Sequence, residues 1–330
     1  MRVDFHAHLW TDDYLDLLDS YGRAATAVQR GTGAGTSRAE MAARLSLMDA
    51  AGIDVQVLSA TPQAADFADP AHALTAARHV NDLYARTVRQ WPDRFAMLAA
   101  LPLPHAGLAA AELERAMDEL GAVGVAINSA ALGHASLLPV YAELDRRGAV
   151  LFVHPAGEFA ADPRLRWAVG APVEDTVAAM RLIVDGVPLR HPGMRIVVPH
   201  LGGALAMLAE RADHQVSGLP EPPSVTARRM FYDTVSHGHV PALRAAARTF
   251  GADRLVLGTD FPFLKGKLFT GAVSYLAEGL NAQEVEQVTR RTPSSLLRRG
   301  RAGLSPWSGR SGLREPLPGG PAGPPGPPTG

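Results

Sequence analysis

His6 and His8 end the first apolar run of the chain, in Val3-Asp4-Phe5-His6-Ala7-His8. Alternate side chains of a strand share a face, so an H-x-H pair sets two imidazoles about 6 to 7 Å apart on one side. Two neutral imidazoles so placed can bind one divalent metal ion. Three later apolar runs end in matching residue types. Ala149–Val153 leads into His154-Pro155, Arg195–Pro199 into His200-Leu201-Gly202-Gly203, and Leu255–Thr259 into Asp260-Phe261-Pro262. Groups able to ligate a cation or move a proton therefore stand at or just beyond the ends of four apolar runs. Ionisable groups gathered in this way point to a site.

Some architecture must bring those ends together. Short β-rich runs lie at Arg2–Phe5, Val55–Ser59, Phe95–Leu101, Gly124–Ile127, Val150–Val153, Arg195–Val198, Met230–Asp233 and Leu255–Leu257. Between them, helical patterns rich in Ala, Leu and Arg fall near Ala39–Ala51, Ala73–Gln90, Gly107–Leu120, Leu137–Arg147, Glu174–Gly186, Gly203–His214 and Pro241–Phe250. About eight β/α units predict an α/β fold of the (β/α)₈ TIM-barrel type rather than an open doubly wound sheet. Most of the runs are continuously apolar, as strands covered on both faces must be. A barrel also supplies the convergence, because all its strands end on one face. Neither a G-x-G-x-x-G after a strand nor a G-x-x-x-x-G-K-[ST] supports a nucleotide fold.

The barrel is predicted over residues 1–302, with a long first loop at 9–37. Its Gly31–Gly35 stretch reads as mobile, and its place at the mouth reads as a lid or substrate wall. From Gly303 the composition falls mostly to Gly, Pro, Ser and Arg, which cannot bury a core. Residues 303–330 are expected to form a disordered tail.

The 330 residues carry a net charge of -1 and are 47% hydrophobic. Charges of both signs are interspersed, leaving no footprint for nucleic acid or an anionic membrane. No run approaches the roughly 20 apolar residues of a membrane span, and no cationic, apolar leader opens the chain. A soluble cytoplasmic protein is expected. Without cysteine, a metal must be held by imidazole and carboxylate. The only lysines, Lys265 and Lys267, follow the last strand. The carboxylated lysine that usually bridges two metals in binuclear barrel hydrolases therefore has no counterpart. One mononuclear site is expected, with zinc as its ion and manganese as the alternative.

The order H-x-H, F-V-H-P, P-H-L-G-G and G-T-D-F-P-F resembles the aminocarboxymuconate semialdehyde decarboxylase-like branch of the amidohydrolase superfamily. The similarity runs from Met1 to Phe263 and includes Met48–Pro62 and the P-D-R-F segment at Pro92–Phe95. It implies metal ligands at His6, His8, His154 and Asp260, and a non-ligand acid/base at His200. It also implies that Phe263 faces the substrate and that Arg211 reaches the substrate carboxylate of a neighbouring subunit, in a homodimer. Where the family has H-P-W-D-M, this chain has His154-Pro155-Ala156-Gly157-Glu158, so an aromatic wall is missing. The family arginine of the first loop has only Arg23 and Arg30 as candidates. The asparagine-containing start of the last helix is replaced by Thr292-Pro293-Ser294-Ser295.

The resulting expectation is a mononuclear metal-dependent decarboxylase of a small carboxylated aromatic, enol or muconate-like substrate. His200 and Asp260 would carry its proton. A hydrolase of lactones, esters or amides on the same ligands, and a non-catalytic metal-binding barrel, are the two alternatives.

Overall fold

The computed structural model describes residues 1–23, 26–157 and 159–299. Its strands are β1 (Val3–His8), β2 (Val55–Ser59), β3 (Phe95–Met97), β4 (Gly124–Asn128), β5 (Val150–His154), β6 (Arg195–Val198), β7 (Phe231–Asp233) and β8 (Leu255–Val256). All pair in parallel, β1 to β3 in order and β4 to β8 in order. The Ala99–Val125 and Ala7–Phe261 bridges join the two sets. At the second seam Phe5 N donates to Leu257 O, and Asp260 N to His6 O, each at 2.8 Å. The sheet closes on itself as a (β/α)₈ barrel.

Alternation sorts the apolar side chains into two layers. One cluster takes residues from every strand, including Phe5, Val57, Ala96, Ala126, Phe152, Val197, Phe231 and Val256, and fills the lumen. Leu296 and Leu297 of the last helix (Thr292–Arg299) pack against it. The other cluster holds the outward residues, such as Leu58, Ile127, Leu151, Val153, Ile196 and Leu255, with the helices.

The helices as far as Phe250 mostly follow the periodic segments. They are α1 (Asp12–Ser20), α2 (Arg38–Ala51), α3 (Pro70–Gln90), α4 (Ala106–Asp118), α5 (Leu137–Arg147), α6 (Ala171–Val184), α7 (Val187–Arg190), α8 (Leu205–Gln215), α9 (Pro223–Ala227) and α10 (Val240–Phe250). Local chemistry sets their starts. Ser37 and Glu40 form a capping box on α2, and Asp69 caps α3 ahead of Pro70.

Two elements differ from the sequence expectation. The segment at 9–37 contains α1, whose first turn is capped by Thr11 and which buries Tyr14, Leu15 and Leu18. Strand β3 stops at Met97 rather than Leu101 because Asn81 captures the next segment. Its side chain accepts from Ala100 N at 2.8 Å and donates to Ala100 O at 2.9 Å. The tail expected at 303–330 lies outside the described residues, as does Glu158.

Candidate metal centre

A register shift between Asp4 and Ala7 aims the first pair of histidines. Val3 and Phe5 face the lumen and Ala7 faces the helices. Unbroken alternation would therefore turn His6 and His8 outward with Asp4. The bulge inverts the alternation, so Phe5 and His6 both face inward. His154 stands two residues after lumen-facing Phe152 on β5 and needs no such device.

One ligand atom from each of His6, His8, His154 and Asp260 lies within 4.8 Å of the others, and all four residues are buried. His6 Nε2 is 3.1 Å from His8 Nε2. Asp260 Oδ1 is 3.2 Å from both of these nitrogens. The other ring nitrogen of each histidine is held from behind. His6 Nδ1 lies 2.6 Å from Asp233 Oδ2, His154 Nδ1 lies 2.7 Å from Pro155 O, and His8 Nδ1 lies 3.0 Å from Ser59 Oγ.

Those partners set the tautomers. A carboxylate and a carbonyl only accept, so Nδ1 of His6 and of His154 donates, and in the neutral ring Nε2 carries the lone pair. His154 Nε2 is buried with no partner. Burial presses the His8 imidazole down to about 4 and His154 well below its ordinary range, so both are neutral donors. Burial disfavours charge at His6 too, but the carboxylates of Asp233 and Asp260 raise it to about 9. The centre thus calls for positive charge where its donor atoms converge. Three imidazoles and one carboxylate, each imidazole braced from behind, fit a single divalent ion.

His200 stands beside this set. Its Nε2 is 4.0 Å from Asp260 Oδ2, and its Nδ1 is 2.7 Å from Asp175 Oδ2. Burial works against charge on His200, but Asp175 and then Asp260 and Asp233 hold it well above its ordinary range. The backbone turns sharply here, with positive φ at His200, Leu201 and Asp260. For residues with a β-carbon that conformation is uncommon and is kept where surrounding structure enforces it. Gly203 explains part of the P-H-L-G-G pattern: a Cβ there would sit 1.9 Å from Pro172 O.

Trp10 stacks on the His8 ring at 5.0 Å, and Phe263, 39% exposed, meets the His8 ring at 6.0 Å and Trp10 at 5.9 Å. Trp167 packs over Gly157, the turn that lacks the family's aromatic residue. Arg23 is committed to Asp66, and Arg30 to Asp12, Asp16 and Asp19. Arg211 lies exposed on α8, outside the four-residue cluster. Asp233, Asp175 and Ser59 complete the site. Asp233 and Ser59 close β7 and β2, so the strand-end rule reaches them, but Asp175 on α6 carries no such signal.

The Amidohydrolase family model matches residues 3–299. The gamma-resorcylate decarboxylase of Rhizobium radiobacter is 31% identical over 248 residues, 67% of this chain and 76% of that protein. The 2-amino-3-carboxymuconate-6-semialdehyde decarboxylase of Dictyostelium discoideum is also 31% identical, over 69% of this chain and 68% of its own length. Among solved structures, the dihydroxybenzoic acid decarboxylase of Polaromonas sp. JS666, with bound manganese and 2-nitroresorcinol, superposes with a TM-score of 0.77. It is 23% identical, covering 91% of this chain and 98% of that one. With the closed barrel and the converging donors already in place, the chain belongs to the amidohydrolase family, in the branch of its metal-dependent decarboxylases.

Proposed function

We propose that the barrel mouth is the active site of a mononuclear metal-dependent decarboxylase of a small carboxylated aromatic or muconate-like substrate. The observation that carries this reading is the pairing of two different devices. Four inward donors converge on one point, and a charged histidine stands next to them without joining them. His6, His8, His154 and Asp260 would hold the ion, and zinc is the ion this donor set favours, with manganese as the second candidate. When bound, that ion supplies a Lewis-acidic centre that orients the substrate and stabilises developing negative charge.

The remaining chemistry belongs to the chain. Loss of carbon dioxide replaces a C–C bond by a C–H bond, so one proton must reach the carbon that bears the carboxylate. His200 carries that proton on Nε2 while Asp175 holds Nδ1–H and stabilises the imidazolium. As the C–C bond breaks, its electron pair returns to the substrate and the carboxylate leaves as carbon dioxide. Asp260, beside His200 Nε2, steers the proton. Trp10 and Phe263 line the mouth as apolar walls. Arg211 is assigned to the substrate carboxylate in the neighbouring subunit of a homodimer.

Purified protein reconstituted with zinc or manganese is tested for carbon dioxide release from 2,6-dihydroxybenzoate, 6-methylsalicylate and aminocarboxymuconate semialdehyde. Turnover of one of these is expected, and His200→Ala lowers it by about 10²-fold or more with metal content unchanged. Lactone hydrolysis without carbon dioxide release would overturn the decarboxylase reading. Full activity in His200→Ala would overturn the proton assignment.

A further inference from the structure

Behind the ligand set, on the outer wall of the barrel, lies a buried polar network that the chemistry above does not use. Asp4 Oδ1 accepts from His6 N and from Thr259 N, both at 3.0 Å. Asp4 Oδ2 accepts from Thr259 Oγ1 at 2.6 Å and from Gln56 Nε2 at 2.8 Å. Gln56 Oε1 in turn accepts from Arg44 Nε at 2.8 Å, and Arg44 Nη1 donates to His8 O at 2.8 Å. The Arg44 guanidinium also lies over the Phe261 ring, 4.3 Å from its centroid. Asp4, Arg44, Gln56 and Thr259 are each no more than 1% exposed.

The backbone points it touches are not scattered. They are His6 N, His8 O and the amide of Thr259, next to Asp260, while the ring of Phe261 on its other side packs under Arg44. β1 is also irregular here: its register against β2 shifts between Asp4 and Ala7, and toward the end of β8 it forms the single bridge Ala7–Phe261. Backbone bonds from Phe5 N, His8 N and Asp260 N cross the β1–β8 seam, and the side-chain network braces the same stretch where the ladder is irregular. We propose that Asp4, Gln56, Arg44 and Thr259 are positioning residues, which set the spacing of three metal ligands by gripping, from outside the barrel, the backbones of His6, of His8 and of Thr259 next to Asp260.

Desolvating a carboxylate and a guanidinium is costly, and a simple packing role would be met as well by apolar side chains. What apolar residues cannot do is tie the backbone amides of His6 and Thr259 to one carboxylate and link that carboxylate, through Gln56 and Arg44, to His8 O. A donor set held this way is pre-organised, so metal binding does not have to order it. Loosening the grip should lower metal affinity even where the fold survives.

The inference rests on the metal reading of the centre, and its test is a binding measurement. Zinc affinity, by competition with a chromogenic chelator, and thermal stability of the metal-free and loaded forms are compared across three variants. Thr259→Val keeps the shape and removes the hydroxyl that Asp4 accepts from. Thr259→Ser restores it. Asn81→Leu breaks a comparably buried network, Asn81 with Ala100 and Glu112, that touches no ligand. Thr259→Val is expected to weaken zinc binding at least about tenfold, as loss of a supporting hydrogen bond to a metal site does. Thr259→Ser should recover most of that loss. Asn81→Leu should lower the melting temperature with zinc affinity within about twofold of the wild type. Thr259→Val with unchanged affinity, or with the profile of Asn81→Leu, would overturn the proposal while leaving the metal reading intact. Wild-type protein that binds neither zinc nor manganese would overturn both.

Discussion

Asp233 shows most plainly how one side chain serves two neighbours. Its Oδ2 takes the Nδ1 proton of His6, and its Oδ1 accepts from the backbone amides of His200 and Val235, each at 2.9 Å. The carboxylate thus sets the tautomer of a proposed ligand and the position of the histidine proposed to carry the proton. Asp233→Asn disturbs both at once. If the amide oxygen keeps the two N–H donors, the amide nitrogen faces His6 Nδ1 and forces the proton to Nε2, where the lone pair is needed. Metal affinity is expected to fall about 10- to 100-fold, read by chelator competition. Asp175→Asn makes the parallel change one step removed. Its amide nitrogen would meet His200 Nδ1, so the imidazole could no longer keep a proton on both nitrogens. Its turnover is expected to drop about 10²-fold with bound metal unchanged, and loss of metal instead would move Asp175 from the proton to the ligand set.

The turns between elements explain why some of this was readable in the chain and some was not. His154, His200 and Asp260 each close a run of β-branched and apolar residues, and a barrel leaves such positions only one face to occupy. Their convergence follows from architecture. The direction of His6 and His8 follows from something the chain does not advertise. Strict alternation from Phe5 points them at the helices, and only the register shift near Asp4 turns them inward. α1 escapes the periodicity argument because Thr11, Asp12 and Asp13 read as loop residues until Thr11 is seen capping the helix. Asp175 is invisible for a third reason: it projects from a helix beyond an irregular segment, where no pattern marks a side chain that reaches the mouth. The Gly202-Gly203 pair, by contrast, is legible in outcome and mechanism. Gly203 has φ +62°, and a methyl there would collide with Pro172 O and Thr176 Oγ1. Gly203→Ala should therefore unseat the turn that carries His200, with a fall in melting temperature and in turnover together. A variant as stable and active as the wild type would show that this turn relaxes at no cost.

At the scale of the whole molecule the open question is which residues complete the mouth. Neither loop arginine is available, since Arg23 is spent on Asp66 and Arg30 on three aspartates. The remaining assignment is Arg211, one helical turn beyond Met207, which is 77% exposed. Phe159, Leu165, Trp167 and Val169, in the segment before α6, are exposed as well. Thr176 Oγ1 accepts from Ala204 N at 2.8 Å and so ties α6 to the start of α8. Large apolar side chains left open beside a cation fit burial against a second copy. Met207→Glu is expected to shift the protein from dimer to monomer in sedimentation at micromolar concentration, and to lower turnover with it. Subunit mixing separates a shared site from simple loss of stability. Arg211→Ala and His200→Ala homodimers should each be nearly inactive. In an Arg211→Ala/His200→Ala heterodimer, one mouth combines an intact His200 with the partner's intact Arg211. Half the dimers in an equal mixture are of this kind, each with one working site, so about a quarter of wild-type activity should return under a two-fold symmetric arrangement. If Arg211 acts within its own chain, every mouth in the mixture still lacks one of the two residues, and no activity returns.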